Sequence, residues 1–221
     1  MEGSFEDPFG KMGEVMERFR SINWKQIPFV SILLVAVNVL VFMISENDGG
    51  KLLDLGDLNI SDVLGDREYY RFLTYSFLHA GMDHILNNMI ILYFMGTMIE
   101  KEIGHVPYAI IYFLSGIGGG MISLFVRFRM HDLVGCVGAS AAIFGLDGLL
   151  LAMVLFFKSP MPTVTPVRVC LMIALSLYSG FTSENVDNAG HLGGLLTGLL
   201  LGAIFCHFQR SLRRKLHGDR F

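Results

Sequence analysis

A serine surrounded by small residues is the clearest sign of chemistry in this chain. Ser140 lies in the run Gly138–Gly145, GASAAIFG, at the start of a long apolar segment that is predicted to be helical. Small neighbours leave room for another molecule to reach the hydroxyl. The first turn of a helix also offers free N–H groups and the positive end of the helix dipole. These are the parts of a nucleophile beside an oxyanion site. The same pattern also suits an N-cap or a close helix contact, so its meaning depends on the rest of the chain.

The composition predicts an integral membrane protein. Of the 221 residues, 52% are hydrophobic and only 17% are charged, whereas soluble proteins have about 25% charged residues. The formal net charge of −3 gives no sign of a nucleic-acid-binding surface. The three cysteines, Cys136, Cys170 and Cys206, are odd in number and far apart. They are therefore predicted to be free, small hydrophobic residues without a disulfide framework or a zinc site.

Six apolar segments are each long enough to cross a bilayer core of about 30 Å. They cover residues 28–45, 82–100, 107–127, 138–157, 165–181 and 189–208. With a cytoplasmic N-terminus, twelve of the 17 Lys and Arg residues fall in cytoplasmic segments, as the positive-inside rule requires. The sequence therefore predicts an all-α membrane protein with six transmembrane helices and with both termini in the cytoplasm.

Three regions follow from these spans. Residues 28–208 form the membrane domain, and residues 209–221 form a basic cytoplasmic tail. Residues 1–27 form a cytoplasmic N-terminal segment, for which a loosely ordered tail and a short amphipathic helix on the membrane surface are both open. The helix is suggested by the spacing of Met12, Val15, Met16, Phe19 and Ile22.

Polar residues collect at the outer ends of helices two, four and six, all of which begin on the outer face in this topology. His79 precedes helix two, His84 and Asn88 lie in its first turns, Ser140 opens helix four, and His191 opens helix six. Ionisable and hydrogen-bonding groups at membrane depth are costly and usually have a function. Because these groups lie at one depth, they are predicted to form one site.

Rows of small residues predict that helices four and six pack closely. The rows are Ala141, Gly145, Gly148 and Ala152 on helix four and Gly190, Gly194, Gly198 and Gly202 on helix six. A close crossing would bring the Ser140 hydroxyl to the His191 imidazole, which is the arrangement of a nucleophile and its general base. His84 and Asn88 share one helix face, and together with the Ser140 N–H they could donate hydrogen bonds to an oxyanion.

Taken together, these residues resemble the rhomboid family of intramembrane serine proteases. The resemblance rests on the motif Gly138-Ala139-Ser140, the spacing H-x4-H-x3-N, Arg71, Gly96-x3-Glu100, and Ala189-Gly190-His191 followed by Gly194. Two positions depart from the family pattern. Ala141 replaces the usual glycine after the serine, and Tyr70 replaces the usual tryptophan before the loop arginine. Neither change removes a reactive group.

The resemblance implies a rhomboid-like bundle of six helices with a catalytic dyad of Ser140 and His191. It implies that the oxyanion donors are His84, Asn88 and Ser140, and that supporting roles fall to His79, Gly138, Arg71 and Glu100. It also implies a partly submerged loop at 46–80 and a mobile gate made of helix five and the 182–188 loop.

A catalytic triad, a zinc site and a transporter fit the sequence less well than a serine–histidine dyad. Asp147 shares a helix face with Ser140 but lies about 10 Å deeper, so it is predicted to be structural or to line a cavity and not to complete a triad. A zinc site from His79, His84 and His191 is disfavoured, because the two histidines of helix two point about 140° apart. A transporter would have repeats or broken helices, and no repeat is present. The remaining alternative is a catalytically silent membrane-protein binder or degradation adaptor.

The sequence thus predicts an endopeptidase that cleaves transmembrane segments of other proteins near the outer face, without a metal or another cofactor. Its partners would be transmembrane protein substrates and the lipid bilayer, with no nucleic acid, and its oligomeric state is open. The substrate is expected to enter laterally from the lipid. The family implies substrates with a helix-weakening segment and a small residue before the cut. The short six-span form suggests a multi-pass protein of a prokaryotic plasma membrane.

Overall fold

The computed structural model describes residues 26–157, 164–183 and 186–217, and the regular structure within these ranges is helical. The only β feature of the described residues is an isolated antiparallel bridge between Leu58 and Cys136. The N-terminal segment 1–27, for which a loosely ordered tail and an amphipathic helix are both open, lies outside the described residues except for residues 26 and 27.

Helices of 4 to 30 residues make up most of the described chain. In order they are α1 (Phe29–Ser45), α2 (Lys51–Gly56), α3 (Arg71–Thr74), α4 (Met82–Ile91), α5 (Thr97–Ile103), α6 (His105–Met130), α7 (Ser140–Ala152), α8 (Pro166–Thr182) and α9 (Asn188–His217). A π-helical turn at Leu92–Gly96 joins α4 to α5, and another at Met153–Phe157 continues α7. Helical structure therefore covers each of the six predicted spans.

Two of these helices, α6 and α9, are long and apolar enough by themselves to cross a membrane. Shorter apolar helices occupy Phe29–Ser45, Ser140–Phe156 and Pro166–Thr182. The α9 helix does not end at residue 208 but continues to His217, so it runs into the region predicted as a basic tail. The α8 helix begins where its sequence directs, because Thr165 caps its first turn by accepting the Arg168 N–H at 3.4 Å and Pro166 follows the cap.

The α7 and α9 helices are in backbone contact. A Cβ atom at Gly194 would collide with the carbonyl oxygen of Ala141, and one at Gly198 would collide with the carbonyl oxygen of Gly145. From the other side, a Cβ atom at Gly148 would collide with the carbonyl oxygen of Leu195. The fourth and sixth predicted spans correspond to α7 and α9. The prediction that these two helices pack through small residues is therefore confirmed at these positions.

The glycine row of α9 departs from the prediction at one end. Gly202 faces Ala152 of α7, as expected, but a Cβ atom at Gly190 would meet the carboxylate of Asp187 and not α7. Gly190 instead brings its carbonyl oxygen close to Gly119 of α6. The reason is that the first turn of α9 lies beside α6 before the helix crosses α7.

Glycine in α6 also explains how the chain accommodates Ala141. The methyl group of Ala141 lies 2.7 Å from the position that a Cβ atom would take at Gly119. Because Gly119 has no side chain, the extra methyl group of Ala141 fits between α6 and α7. The three helices α6, α7 and α9 therefore form the closely packed centre of the fold.

Glu100 ties the start of α1 to α5. Its buried carboxylate accepts the N–H groups of Val30 and Ser31 at 2.8 and 2.7 Å, the Ser31 hydroxyl at 2.6 Å, and pairs with His105 Nδ1 at 2.6 Å. The first N–H groups of a helix lack partners within the helix and favour negative charge. Glu100 therefore connects α5 to the start of α1, and it lies away from Ser140.

The 46–80 connection is folded around Arg71. The buried guanidinium group pairs with Asp57 and Asp62 at 2.7 Å and with Glu68 at 2.6 Å, and it also donates to the carbonyl oxygens of Asp54 and Asp57 at 2.9 Å. Burial raises the pKa of Asp57 despite its hydrogen bond to Asn59 and the opposing charge of Arg71. Arg71 therefore fixes the shape of this connection.

Replacing Gly198 by valine should separate α7 from α9. The added side chain has no space against the Gly145 carbonyl, and overpacking of this kind typically costs about 1–3 kcal/mol. We expect Gly198→Val to lower the thermal unfolding temperature in detergent. Leu200→Val is the matched control, because Leu200 lies on the same helix with 62% of its surface exposed. Equal unfolding temperatures for the two variants would contradict the backbone contact.

Candidate active site

Ser140 and His191 are in hydrogen-bonding contact. The Nε2 atom of His191 lies 2.8 Å from the Oγ atom of Ser140. Ser140 is the first residue of α7 and His191 lies in the first turn of α9, so the contact joins the starts of the two helices that pack through glycine. His191 is buried and Ser140 is half-buried. The arrangement allows the imidazole to take the proton of the hydroxyl group.

Phe144 holds the imidazole from one side, which the sequence did not predict. Its ring stacks on His191 with a centroid distance of 4.3 Å and an interplanar angle of 17°. Phe144 follows Ser140 by four residues, so the two side chains share one face of α7. That spacing was the only signal in the sequence, and it could not reveal the stacking because the histidine comes from another helix.

Gly138 brings the loop before Ser140 against helix α4. Its φ of +131° lies in the region that favours glycine, and its N–H donates to the carbonyl oxygen of Tyr75 at 2.9 Å. A Cβ atom at Gly138 would lie 2.7 Å from His84 Nε2 and 3.7 Å from Asn88 Nδ2. The backbone before Ser140 therefore lies directly beside the two predicted oxyanion donors.

The side-chain amide of Asn88 has a hydrogen-bond donor without a partner. The residue is buried, and its Nδ2 atom has no hydrogen-bond partner among the described residues. His84 is half-buried on the same face of α4, one turn earlier. A buried donor without a partner destabilises the fold. The Asn88 amide can therefore donate a hydrogen bond to an acceptor on another molecule.

His79 supports His84 and does not reach Ser140. It is 1% exposed, and its ring packs edge-on against the His84 ring with a centroid distance of 5.0 Å. Neither ring nitrogen of His79 has a hydrogen-bond partner in the described part of the chain. The structure thus brings His79, His84, Asn88, Ser140 and Gly138 together with His191, whereas Arg71 and Glu100 lie in separate networks.

Cys136 fixes the loop that precedes Ser140. Its main chain pairs with Leu58 in both directions, with N···O distances of 2.9 and 3.0 Å. Its thiol lies 3.6 Å from the Ser123 hydroxyl of α6. All three cysteines are free, as expected. Cys136 therefore anchors the loop that leads into Ser140.

Asp147 forms no hydrogen bond or ion pair with Ser140 or His191 in the described part of the chain. It is 4% exposed, and its Oδ1 atom has no partner in residues 26–157, 164–183 and 186–217. Within the same residues, no group of three or more His, Cys, Asp or Glu side chains is arranged to hold a metal ion. Asp147 therefore takes no part in the hydrogen bond between Ser140 and His191.

The predicted gate falls partly outside the described residues, because 184 and 185 are not described. The described end of the loop is held by Asn188, whose side-chain nitrogen Nδ2 donates to the carbonyl oxygen of Gly180 at 3.1 Å. This contact joins the end of α8 to the start of α9, next to His191.

Comparison with known proteins identifies the family. The Rhomboid domain model matches residues 66–208. RHOMBOID-like protein 4 of Arabidopsis thaliana is 36% identical over 156 residues, which cover 69% of this chain and 38% of that protein. Rhomboid protease GluP of Bacillus subtilis is 31% identical over 181 residues, which cover 80% of this chain and 34% of that protein.

A shorter relative matches over much of its own length. The putative rhomboid protease YdcA of Bacillus subtilis is 34% identical over 147 residues, covering 66% of this chain and 71% of that protein. The chain spans well under half the length of the first two relatives. The matched region contains all the residues that surround Ser140 and His191, and rhomboid proteins are integral membrane proteins. The chain belongs to the rhomboid family.

Proposed function

We propose that this chain is an intramembrane serine endopeptidase that uses a dyad of Ser140 and His191. The observation that carries the proposal is the distance of 2.8 Å between His191 Nε2 and Ser140 Oγ. Family membership supports an intramembrane protease in general terms, and the contact identifies the atoms that would react. A nucleophile and a base within hydrogen-bond reach are the signature of covalent catalysis.

The reaction would proceed by acyl transfer. Ser140 Oγ attacks the carbonyl carbon of the scissile peptide while His191 Nε2 takes the hydroxyl proton. The imidazolium then returns this proton to the leaving amine as the peptide bond breaks. A water molecule, deprotonated by His191, hydrolyses the acyl-enzyme and restores the serine. Stacking on Phe144 keeps the imidazole in one plane through these proton transfers.

The tetrahedral intermediate needs donors for its oxyanion. The Nε2 of His84 and the unpaired Nδ2 of Asn88 lie beside Gly138, two residues before Ser140, and the N–H of Ser140 lies at the start of α7. In this proposal these three groups donate to the oxyanion. Donors placed in advance of the reaction stabilise the developing charge without reorganisation. In this proposal, Gly138 is glycine because a side chain there would displace His84.

The substrate would be a transmembrane segment that enters from the lipid. Two long and three shorter apolar helices support a membrane location for this chain, and a six-span topology with both termini in the cytoplasm agrees with the distribution of Lys and Arg. In that topology, α4, α7 and α9 start on the outer side, so the site opens toward the outside. With lateral entry, the substrate segment stays helical in the lipid, where its backbone groups are hydrogen-bonded to one another, until it unwinds at Ser140.

Removing either member of the dyad should abolish cleavage. Ser140→Ala and His191→Ala should each reduce kcat for a test transmembrane substrate by at least about 10⁴-fold, because the two groups act as one unit. The assay is cleavage in proteoliposomes, and the fold is checked by circular dichroism. His207→Ala, an exposed histidine of the same helix, is the control and should cleave at the wild-type rate.

Near-full activity in His191→Ala would contradict the dyad. Among Ser140→Ala, His191→Ala and His207→Ala, loss of cleavage with retained substrate binding is expected only in the two dyad variants. If the wild-type protein bound substrates but neither cleaved them nor reacted with a fluorophosphonate probe, the silent-binder alternative would replace the protease.

Removing the Asn88 amide should slow the chemical step without preventing substrate binding. Loss of one oxyanion donor typically lowers kcat by about 10²- to 10³-fold, so we expect Asn88→Ala to show this loss with little change in KM. Asn38→Ala is the matched control, because Asn38 is also buried in an apolar helix but donates only to the Leu34 carbonyl of its own turn. An unchanged kcat in Asn88→Ala would remove Asn88 from the oxyanion site.

A further inference from the structure

Asp187 lies immediately before α9 and binds its first turn. Its Oδ1 atom accepts the N–H of Gly190 at 3.0 Å, and its main-chain carbonyl oxygen accepts the N–H of His191 at 3.0 Å. The first N–H groups of a helix have no partner within the helix, and an aspartate at this position satisfies them. Asp187 therefore holds the turn of backbone that carries His191.

Gly190 leaves the space in which the Asp187 carboxylate lies. A Cβ atom at Gly190 would collide with Oδ2 and would lie 2.9 Å from Cγ of Asp187. The carboxylate is thus folded back over the start of α9 and does not extend into solvent. This contact gives the first glycine of the α9 row a role that differs from that of Gly194 and Gly198.

The charge of the same carboxylate also acts on the loop that precedes Ser140. Burial, and after it the negative charge of the Asp187 carboxylate, raises the pKa of the Cys136 thiol to about 12. Cys136 lies two residues before Gly138 and is bound to Leu58 through its main chain. Asp187 therefore binds the helix start with His191 and acts electrostatically on Cys136 in the loop before Ser140.

Asp187 does not complete a catalytic triad. Asp187 and His191 form no side-chain hydrogen bond or ion pair, and His191 Nδ1 has no hydrogen-bond partner among the described residues. A triad carboxylate would accept a hydrogen bond from that nitrogen. Any effect of Asp187 on the imidazole must therefore be transmitted mainly through the backbone of α9.

We propose that Asp187 is a positioning residue that sets the register of His191 toward Ser140 by capping α9. This inference rests on the proposed protease function. It requires the acceptor atom of the side chain at the cap and not its charge. Residues that accept the same N–H should therefore replace aspartate, whereas residues that cannot accept it in this geometry should not.

Four substitutions separate the acceptor from the charge. Asp187→Asn and Asp187→Ser keep a cap acceptor without charge, Asp187→Ala removes both, and Asp187→Glu keeps the charge on a side chain that is a poor N-cap. The readouts are kcat and KM for a test transmembrane substrate and the rate at which a fluorophosphonate labels Ser140. Asp48→Ala is the control, because Asp48 also accepts two main-chain N–H groups, of Gly50 and Leu52, at the start of a helix without a dyad residue.

We expect Asp187→Ala and Asp187→Glu to lower kcat and the labelling rate by at least about tenfold with KM unchanged, because small displacements of reacting groups have large effects on rate. Asp187→Asn, Asp187→Ser and Asp48→Ala should stay close to wild type. If Asp187→Ala does not fold, the comparison of Asp187→Glu with Asp187→Asn decides the question.

Two results would overturn the positioning role. One is wild-type kcat in Asp187→Ala or Asp187→Glu, and the other is a loss in Asp187→Asn as large as in Asp187→Ala, which would assign the effect to charge. Labelling of the wild-type protein tests the proposed function separately. Its absence would overturn the protease proposal together with this one, whereas labelling of wild type and Asp187→Ala at equal rates would overturn only the role of Asp187.

Discussion

The backbone contact between α7 and α9 is the constraint on which the rest of this structure depends. At Gly194, Gly198 and Gly148 the two helices approach so closely that no side chain would fit between them. Within a membrane, apolar burial does not drive one helix onto another, and close packing of small residues is what holds helices together. The same contact brings the starts of α7 and α9 side by side, and Ser140 and His191 occupy those starts.

A second set of contacts determines the path of the chain into α7. The Gly138 N–H binds Tyr75, the main chain of Cys136 pairs with Leu58, and the Tyr75 hydroxyl donates to the Gly116 carbonyl of α6 at 2.6 Å. These bonds connect the loop before the serine to the 46–80 connection, which is itself folded around Arg71. The serine is thus held by its helix on one side and by a hydrogen-bonded loop on the other.

The sequence predicted the helices and the meeting of Ser140 with His191, because apolar length and glycine spacing are local patterns with direct physical meaning. It could not reveal the stacking of Phe144 on His191 or the folding of Asp187 over Gly190. Those contacts depend on how elements distant along the chain are oriented. The π-helical turns at Leu92–Gly96 and Met153–Phe157 and the partners of Arg71 escaped prediction for the same reason.

The reactivity of Ser140 in a folded Gly198→Val variant tests most directly whether helix packing creates the dyad. The rate of fluorophosphonate labelling would be measured at a temperature where circular dichroism shows the variant to be folded, beside Leu200→Val. A displacement of about 1 Å between reacting groups can lower a rate by about 10²-fold, so labelling of Gly198→Val should fall by about that factor while Leu200→Val reacts like wild type. Equal labelling of the two folded variants would contradict the claim that the glycine contact brings serine to histidine.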